Sequence, residues 1–342
     1  MVKPCTPAEV AFYETAVASH PALARYMPTF MGTLQLDASP GVAQVAPAKP
    51  QQPLDPVPAA APGSGGAVRI KGQKLSTDLA IVLGNVAAGF KRPNILDVKL
   101  GARLWDDDAP PAKRARLDEV AQQTTSGSLG FRIAGMRVWQ GEPPAQGAKG
   151  RDAVQSEANN GQGSDHVSFD ATTGYRVYNK LYGRRFTASD VVEGFREYLH
   201  VGSAGMSRDK ASMLASLFAQ HLRDIELLLA QEESRMYSAS ILFVYEGDPE
   251  AMAATLKAMP QLAHDISEAN GSRVGASDEL EDGIDGEDSD SEDEEEERLR
   301  IVAVKLIDFA HASFTPGQGP DENALKGVRS TRRIFLDLER ES

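Results

Sequence analysis

From Pro93 to Gly101 apolar and polar residues alternate, which predicts a strand of period two with Leu96, Val98 and Leu100 on one face and Ile95, Asp97 and Lys99 on the other. Asp97 and Lys99 therefore point the same way. By spacing alone they read as a surface ion pair on a half-buried strand. A second segment changes the picture: Ile301 to Phe309 is also an apolar strand, and it ends in a carboxylate, Asp308. A hard oxygen ligand left free at a strand end suits Mg2+ on nucleotide phosphates, although an Asp there is also a common turn residue.

The pattern predicts further elements around these two. A helix is expected from Thr6 to Ser19 and a short buried strand from Leu79 to Leu83. Phe131 to Trp139 and Tyr175 to Asn179 read as paired strands of a hairpin. Thr187 and Asp190 form a capping pair ahead of a helix with Val191, Phe195 and Leu199 on its face. Leu214, Leu217, Phe218, Ile225 and Leu228 recur at helical spacing and give the longest helix, Arg208 to Glu233. Ser240 to Tyr245 completes the list as a strand. Strands and helices are mixed without regular alternation, so the fold class is α+β.

Three segments read as insertions: Ser39 to Gly66, rich in Pro, Ala and Gly; Gly141 to Asp165, rich in Gly, Gln and Asn; and an acidic run within residues 271–297. The acidic run decides how the net charge of −13 is read. Its 14 acidic residues between Ser277 and Glu297 outnumber that charge, so the rest of the chain is near neutral and free to build a local basic site. A single cysteine, Cys5, and no signal-like apolar stretch after Met1 lead to the expectation of a reducing nuclear or cytoplasmic setting. No apolar run is long enough for a membrane span.

Candidate cations follow. Lys113, Arg114 and Arg116 come just after Pro110 and Pro111, where a helix opens. Lys113 and Arg116 lie one turn apart and suit an anion clamp, while Arg114, four residues before Asp118, suits a surface ion pair. A solvated helix face and a nuclear-import patch remain open for the same cluster. Lys180, His311 and Lys3, with Glu9 as a partner for Lys3, complete the set. A lysine, a metal-binding carboxylate and cations for an acceptor are what phosphoryl transfer requires. The chain has no GxxxxGK[ST] loop, no GxGxxG after a strand and no HRD-type loop, which argues against a P-loop enzyme or an ordinary protein kinase. Basic content confined to one short cluster argues against direct nucleic-acid binding.

Several separated segments, in order, resemble the inositol polyphosphate kinase family in its multikinase branch. Pro93, Asp97, Lys99 and Gly101 meet the signature PxxxDxKxG; Thr124 to Ile133, Ser240 to Gly247 and the Ile307 to His311 string IDFAH resemble further blocks. The resemblance implies a two-lobed, protein-kinase-like fold. Residues 1–92 would form the N-terminal lobe and connector, and 93–342 the C-terminal lobe, with a substrate helix at 110–123 and ATP in the cleft. It implies that the Gly84 and Val86 backbone meets adenine, that Asp97 contacts ribose, that Lys3 touches the phosphates and that Asp308 holds Mg2+. Lys99, Lys113, Arg116, Lys180 and His311 would bind the inositol phosphate, with Lys99 and Asp308 the catalytic pair. The implied activity is ATP-dependent phosphorylation of inositol 1,4,5-trisphosphate to tetrakis- and pentakisphosphate. Hexakisphosphate kinase activity is the alternative within the family. A non-catalytic scaffold for transcription-factor or chromatin proteins, through the acidic or basic segments, is an alternative of another class.

Overall fold

Strand β4, Pro93–Leu100, lies inside a six-stranded antiparallel sheet, and its alternation sets the two faces of that sheet. Around it run β5 (Phe131–Trp139), β6 (Val167–Asp170), β7 (Tyr175–Tyr178), β9 (Ser240–Glu246) and β10 (Val302–Ile307), in the order β10-β9-β4-β5-β7-β6. Register places Leu96 opposite Phe243 and Val98 opposite Ile241, with Val304 and Leu306 beyond them, and all these side chains are buried. Three helices cover that face: α6 (Val192–Leu199), α7 (Arg208–Leu229) and α8 (Glu322–Arg340). Phe335 of α8 joins them to the sheet, with its ring centroid 5.2 Å from those of Phe195, Phe218 and Phe243. The opposite face carries Ile95, Asp97 and Lys99, as the alternation predicts. The computed structural model describes residues 1–35, 77–142, 165–199, 202–259 and 300–341. The insertions Ser39 to Gly66 and 271–297, and all but the ends of Gly141 to Asp165, lie outside the described residues.

A smaller sheet, order β1-β3-β2, forms from β1 (Val2–Pro4), β2 (Phe30–Gln35) and β3 (Leu79–Leu83). Helix α1, Pro7–Ser19, packs beneath it; Thr6 accepts the Glu9 N–H and Pro7 occupies the first turn, where no amide partner is needed. The short α2, Pro21–Ala24, follows. This lobe is clasped to the larger one by ring stacks from Phe12 to Phe309 (4.9 Å) and to Phe314 (4.6 Å). His20 Nδ1 lies 2.6 Å from Glu232 Oε2, and Leu306 N–H donates to Tyr26 O at 2.6 Å.

The remaining elements refine the expectations. Strands β5 and β7 pair as read, but the tight hairpin is β6 with β7, closed by Asp170, whose Oδ1 accepts the Thr172 N–H. Asp190 Oδ1 accepts the Thr187 N–H at 2.6 Å, one half of a capping box, while the Thr187 hydroxyl turns to Asp190 instead of the helix. Helix α7 stops at Leu229, short of the expected Glu233. The glutamates beyond it serve elsewhere, Glu232 on His20 and Glu233 on the Gly317 and Gly319 amides. Helix α8 and strands β2, β6, β8 (Ser234–Met236) and β11 (Ala312–Phe314) are additions to the pattern read from sequence.

Helix α5, Lys180–Arg184, lies directly on β5: a Cβ at Gly183 would sit 1.8 Å from the Ile133 carbonyl oxygen. Gly183→Ala is expected to cost about 3 kcal/mol, the upper end of ordinary overpacking. Gly202→Ala, where a Cβ meets nothing within 4 Å, should leave the denaturation midpoint near that of the parent. Urea titration of the two variants checks this.

Candidate active site

The free face of the large sheet has an apolar end and a charged end. At the apolar end Ile95, Leu242, Val244 and Ala303 cluster with Val86 and Phe90 of the connector, apart from the main core. The connector, residues 84–92, is held at both sides. Glu246, buried at the end of β9, accepts the N–H groups of Lys91 (2.6 Å) and Arg92 (2.9 Å), and Arg300 donates to the Val86 and Ala88 carbonyls. Gly84 N–H is taken by Thr29 O at 2.8 Å, and a Cβ there would crowd Thr29 at 3.2 Å, which accounts for glycine at this position.

At the charged end, register builds a row across four strands. Ile307 of β10 pairs with Ser240, Ser240 with Lys99, and Lys99 with Arg132 of β5. Asp308 follows Ile307 in a left-handed backbone (φ 66°), with its side chain 44% exposed. Arg132 reaches this row only because β5 carries a bulge: Asp97 faces Gly135 but Val98 faces Ile133, so Ala134 is the extra residue. The bulge moves β5 by one position and turns Arg132 onto the face of Asp97 and Lys99. Sequence reasoning assigned Arg132 no role. Its signal is the broken period in β5, where the buried positions Phe131 and Ile133 are followed by Met136 and Val138.

Electrostatics tie the row together. Burial pushes the Asp97 carboxyl above its usual range, against the Ser240 hydroxyl and the pull of Lys99; burial pushes Lys99 down, against the pull of Asp97 and Asp308. Arg132, nine-tenths buried, is brought down to about 10 by burial and by the nearby Arg184. Lys3 of β1 spans from the small lobe, its Nζ 2.6 Å from Asp308 Oδ1 and 2.9 Å from Oε1 of Glu9, a carboxylate 1% exposed. Burial opposes the Lys3 charge, but the two carboxylates outweigh it and hold its pKa above the ordinary value.

Asp97 Oδ1 and Ser240 Oγ are buried beside one another, close enough for the hydroxyl to pull the carboxyl pKa down but without a hydrogen bond of ordinary length. Buried polar atoms are nearly always paired, so two orphans on the cleft face fit polar groups of a ligand. Among the described residues no three His, Cys, Asp or Glu side chains converge. A cation at Asp308 would therefore draw most of its ligands from phosphate and water oxygens, which is the habit of Mg2+.

On the far side stands α3, Pro111–Gln122, followed by the short α4, Thr125–Leu129. Lys113 Nζ lies 3.5 Å from His311 Nε2, and His311 Nδ1 lies 2.5 Å from Asp106 Oδ2. Arg116 is exposed one turn on and has no partner among the described residues. The expected Arg114 to Asp118 pair is absent. Asp118 accepts the Trp105 indole N–H at 2.6 Å, while Arg114 stacks 4.7 Å from that ring and donates to Ala109 O. A partly buried indole N–H needs an acceptor, and Asp118 is better used there. Lys180 opens α5, exposed, without contact to the other candidates. The structure thus brings together Lys3, Asp97, Lys99 and Asp308 in one group and Lys113 and His311 in another, with Gly84 and Val86 at the apolar end.

Among the described residues no helix is long and apolar enough to cross a membrane. The inositol polyphosphate multikinase of Saccharomyces cerevisiae is 31% identical, over 98% of this chain and 91% of that protein. The inositol hexakisphosphate kinase 3 of Mus musculus is 28% identical over 76% of this chain and 50% of that one. The crystal structure of an inositol phosphate multikinase from S. cerevisiae in complex with ADP and Mn2+ matches with a TM-score of 0.63 and 30% identity, covering 98% of each chain. That match gives the antiparallel sheets and their lobes the kinase-like architecture expected from the sequence. With residues 80–336 matching the family described as Inositol polyphosphate kinase, the cleft between these sheets is that of a relative, and the chain belongs to the inositol polyphosphate kinase family.

Proposed function

We propose that this protein transfers the terminal phosphoryl group of ATP to hydroxyls of inositol polyphosphates, with inositol 1,4,5-trisphosphate carried to tetrakis- and pentakisphosphate. The observation that carries the reading is the row Asp308, Ser240, Lys99 and Arg132 facing Lys3: a carboxylate and three cations in a cleft with an apolar end. The apolar cluster fits adenine beside Gly84 and Val86, and the orphaned Asp97 oxygen fits a ribose hydroxyl.

In this reading Lys3 would hold the nucleotide phosphates, and Asp308 would hold Mg2+. Lys99 and Arg132 meet the charge that spreads over the transferred group. MgATP, when bound, supplies the phosphoryl group and neutralises part of its charge. Lys113, Arg116 and His311 hold the phosphates of the acceptor so that one inositol hydroxyl lies in line, and Lys180 meets an outlying phosphate. Positioning accounts for much of the rate in such reactions, since a loose transition state asks little of a base.

The test is ATP consumption by the full chain with Mg2+ against inositol tris-, tetrakis- and hexakisphosphate. Trisphosphate turnover is expected. Preference for the hexakisphosphate would favour pyrophosphate synthesis instead, and no turnover with any of the three would remove the kinase reading. In the same assay Lys113→Ala with Arg116→Ala should raise the KM for trisphosphate about 10- to 100-fold, as two charge-assisted contacts are lost, and leave the KM for ATP unchanged.

A further inference from the structure

Only two non-glycine residues among those described have a left-handed backbone, and both border the cleft: Asp308 and, at φ 60°, Ser238. Such a conformation costs an L-residue about 1–2 kcal/mol and persists where surrounding contacts impose it. Ser238 sits in the turn between β8 and β9, and that turn is fastened on every side. The Ser238 carbonyl accepts from Lys99 Nζ at 2.6 Å, and its hydroxyl donates to Leu104 O at 2.9 Å. Just before it Tyr237 N–H donates to His311 O at 3.1 Å; just after it Ala239 O accepts the Leu100 N–H at 2.8 Å.

We infer that Ser238 is a positioning residue for the transfer step: its left-handed backbone aims a neutral carbonyl at the Lys99 ammonium, and its hydroxyl ties down the loop that leads to α3. This rests on the kinase reading above. Lys99 stands two residues from Asp97 on the same strand face and feels the charge of Asp308, yet it forms an ion pair with neither. A lysine drawn into either carboxylate would have part of its charge already neutralised. Held by an uncharged acceptor, the ammonium keeps two donors and its full charge for phosphate oxygens, and its flexible four-carbon stem is fixed. The hydroxyl does a second job. Leu104 lies in the loop that carries Asp106, the partner of His311, and Trp105, on which Arg114 of α3 stacks. One residue thus sets the lysine and the substrate helix relative to each other.

Three variants of the full chain separate these roles, with kcat, both KM values, MgATP affinity and melting temperature measured alongside the parent. Ser238→Val cannot adopt the left-handed backbone without severe strain, so the carbonyl turns away; kcat should fall about 100-fold with MgATP affinity unchanged. Ser238→Gly takes that backbone freely and should keep kcat within about threefold. Both Ser238→Gly and Ser238→Ala lose the bond to Leu104 and should raise the KM for inositol phosphate about 3- to 10-fold. A folded Ser238→Val with parental kcat, or a Ser238→Gly that loses kcat as deeply, overturns the inference. Should Ser238→Val fail to fold, unchanged substrate KM in the other two overturns it by itself. A parent chain without turnover overturns the kinase reading and this role together.

Discussion

Asp308→Asn is expected to lower kcat by at least about 1,000-fold while the protein stays folded, a loss of roughly 4 kcal/mol of transition-state stabilisation. Asparagine is nearly isosteric and is one of the few residues that accept a left-handed backbone, so the φ of 66° is preserved. Lys3 loses one of its two carboxylates but keeps Glu9 at 2.9 Å, and with it an anchored ammonium. What disappears is the anionic oxygen through which a divalent cation would be held, and with it much of the charge balance on the transferred group. Single-turnover kinetics with saturating MgATP, beside a melting curve, tests this. Activity within tenfold of the parent would show that the cation is held elsewhere.

Lys99→Met should lower kcat/KM for the inositol phosphate about 100- to 1,000-fold, the range seen when one preorganised donor to a developing charge is removed. Methionine fills most of the space of the lysine stem. The sign of the stability change sets this variant apart from a damaged fold. Burial depresses the Lys99 pKa below that of an unfolded chain, so at neutral pH the folded protein binds this proton less well and the charge opposes folding. Its removal should leave the melting temperature unchanged or raise it. As pH rises toward the ordinary lysine range the parent loses this handicap, so the gap between parent and variant should narrow. A variant that is both inactive and less stable would mean that Lys99 serves the structure first.

Much of this site was written locally in the sequence, and what was hidden is of one kind. The alternation in Pro93 to Gly101 gave the faces of β4, and the carboxylate after Ile307 marked the end of β10, because both depend only on neighbours in the chain. Arg132 escaped because its place depends on a bulge one strand away, although the shifted period in β5 records it. The row from Asp308 to Arg132 depends on register between residues 33, 67 and 141 positions apart, for which local pattern holds no rule. Arg114 was given to Asp118 on helical spacing, but Trp105, outside the helix, claims both. Helix α8 could have been read: Leu325, Val328, Phe335 and Leu338 follow helical spacing after Asp321, which accepts the Ala324 N–H. The orphaned Ser240 hydroxyl has no signal in a single sequence.

The clasp between the lobes bears on when the cleft takes its working shape. Helix α1 carries Glu9, which steadies Lys3, and ends at His20, which is paired to Glu232 and stacked 4.0 Å from Phe314. Tilting α1 outward would part the Phe12 ring from those of Phe309 and Phe314 and strain the pair at His20. Helix α1, and Lys3 with it, is thereby pinned to the larger lobe. A cleft fastened in this way is assembled before any ligand arrives, so the ammonium of Lys3 waits in place beside Asp308.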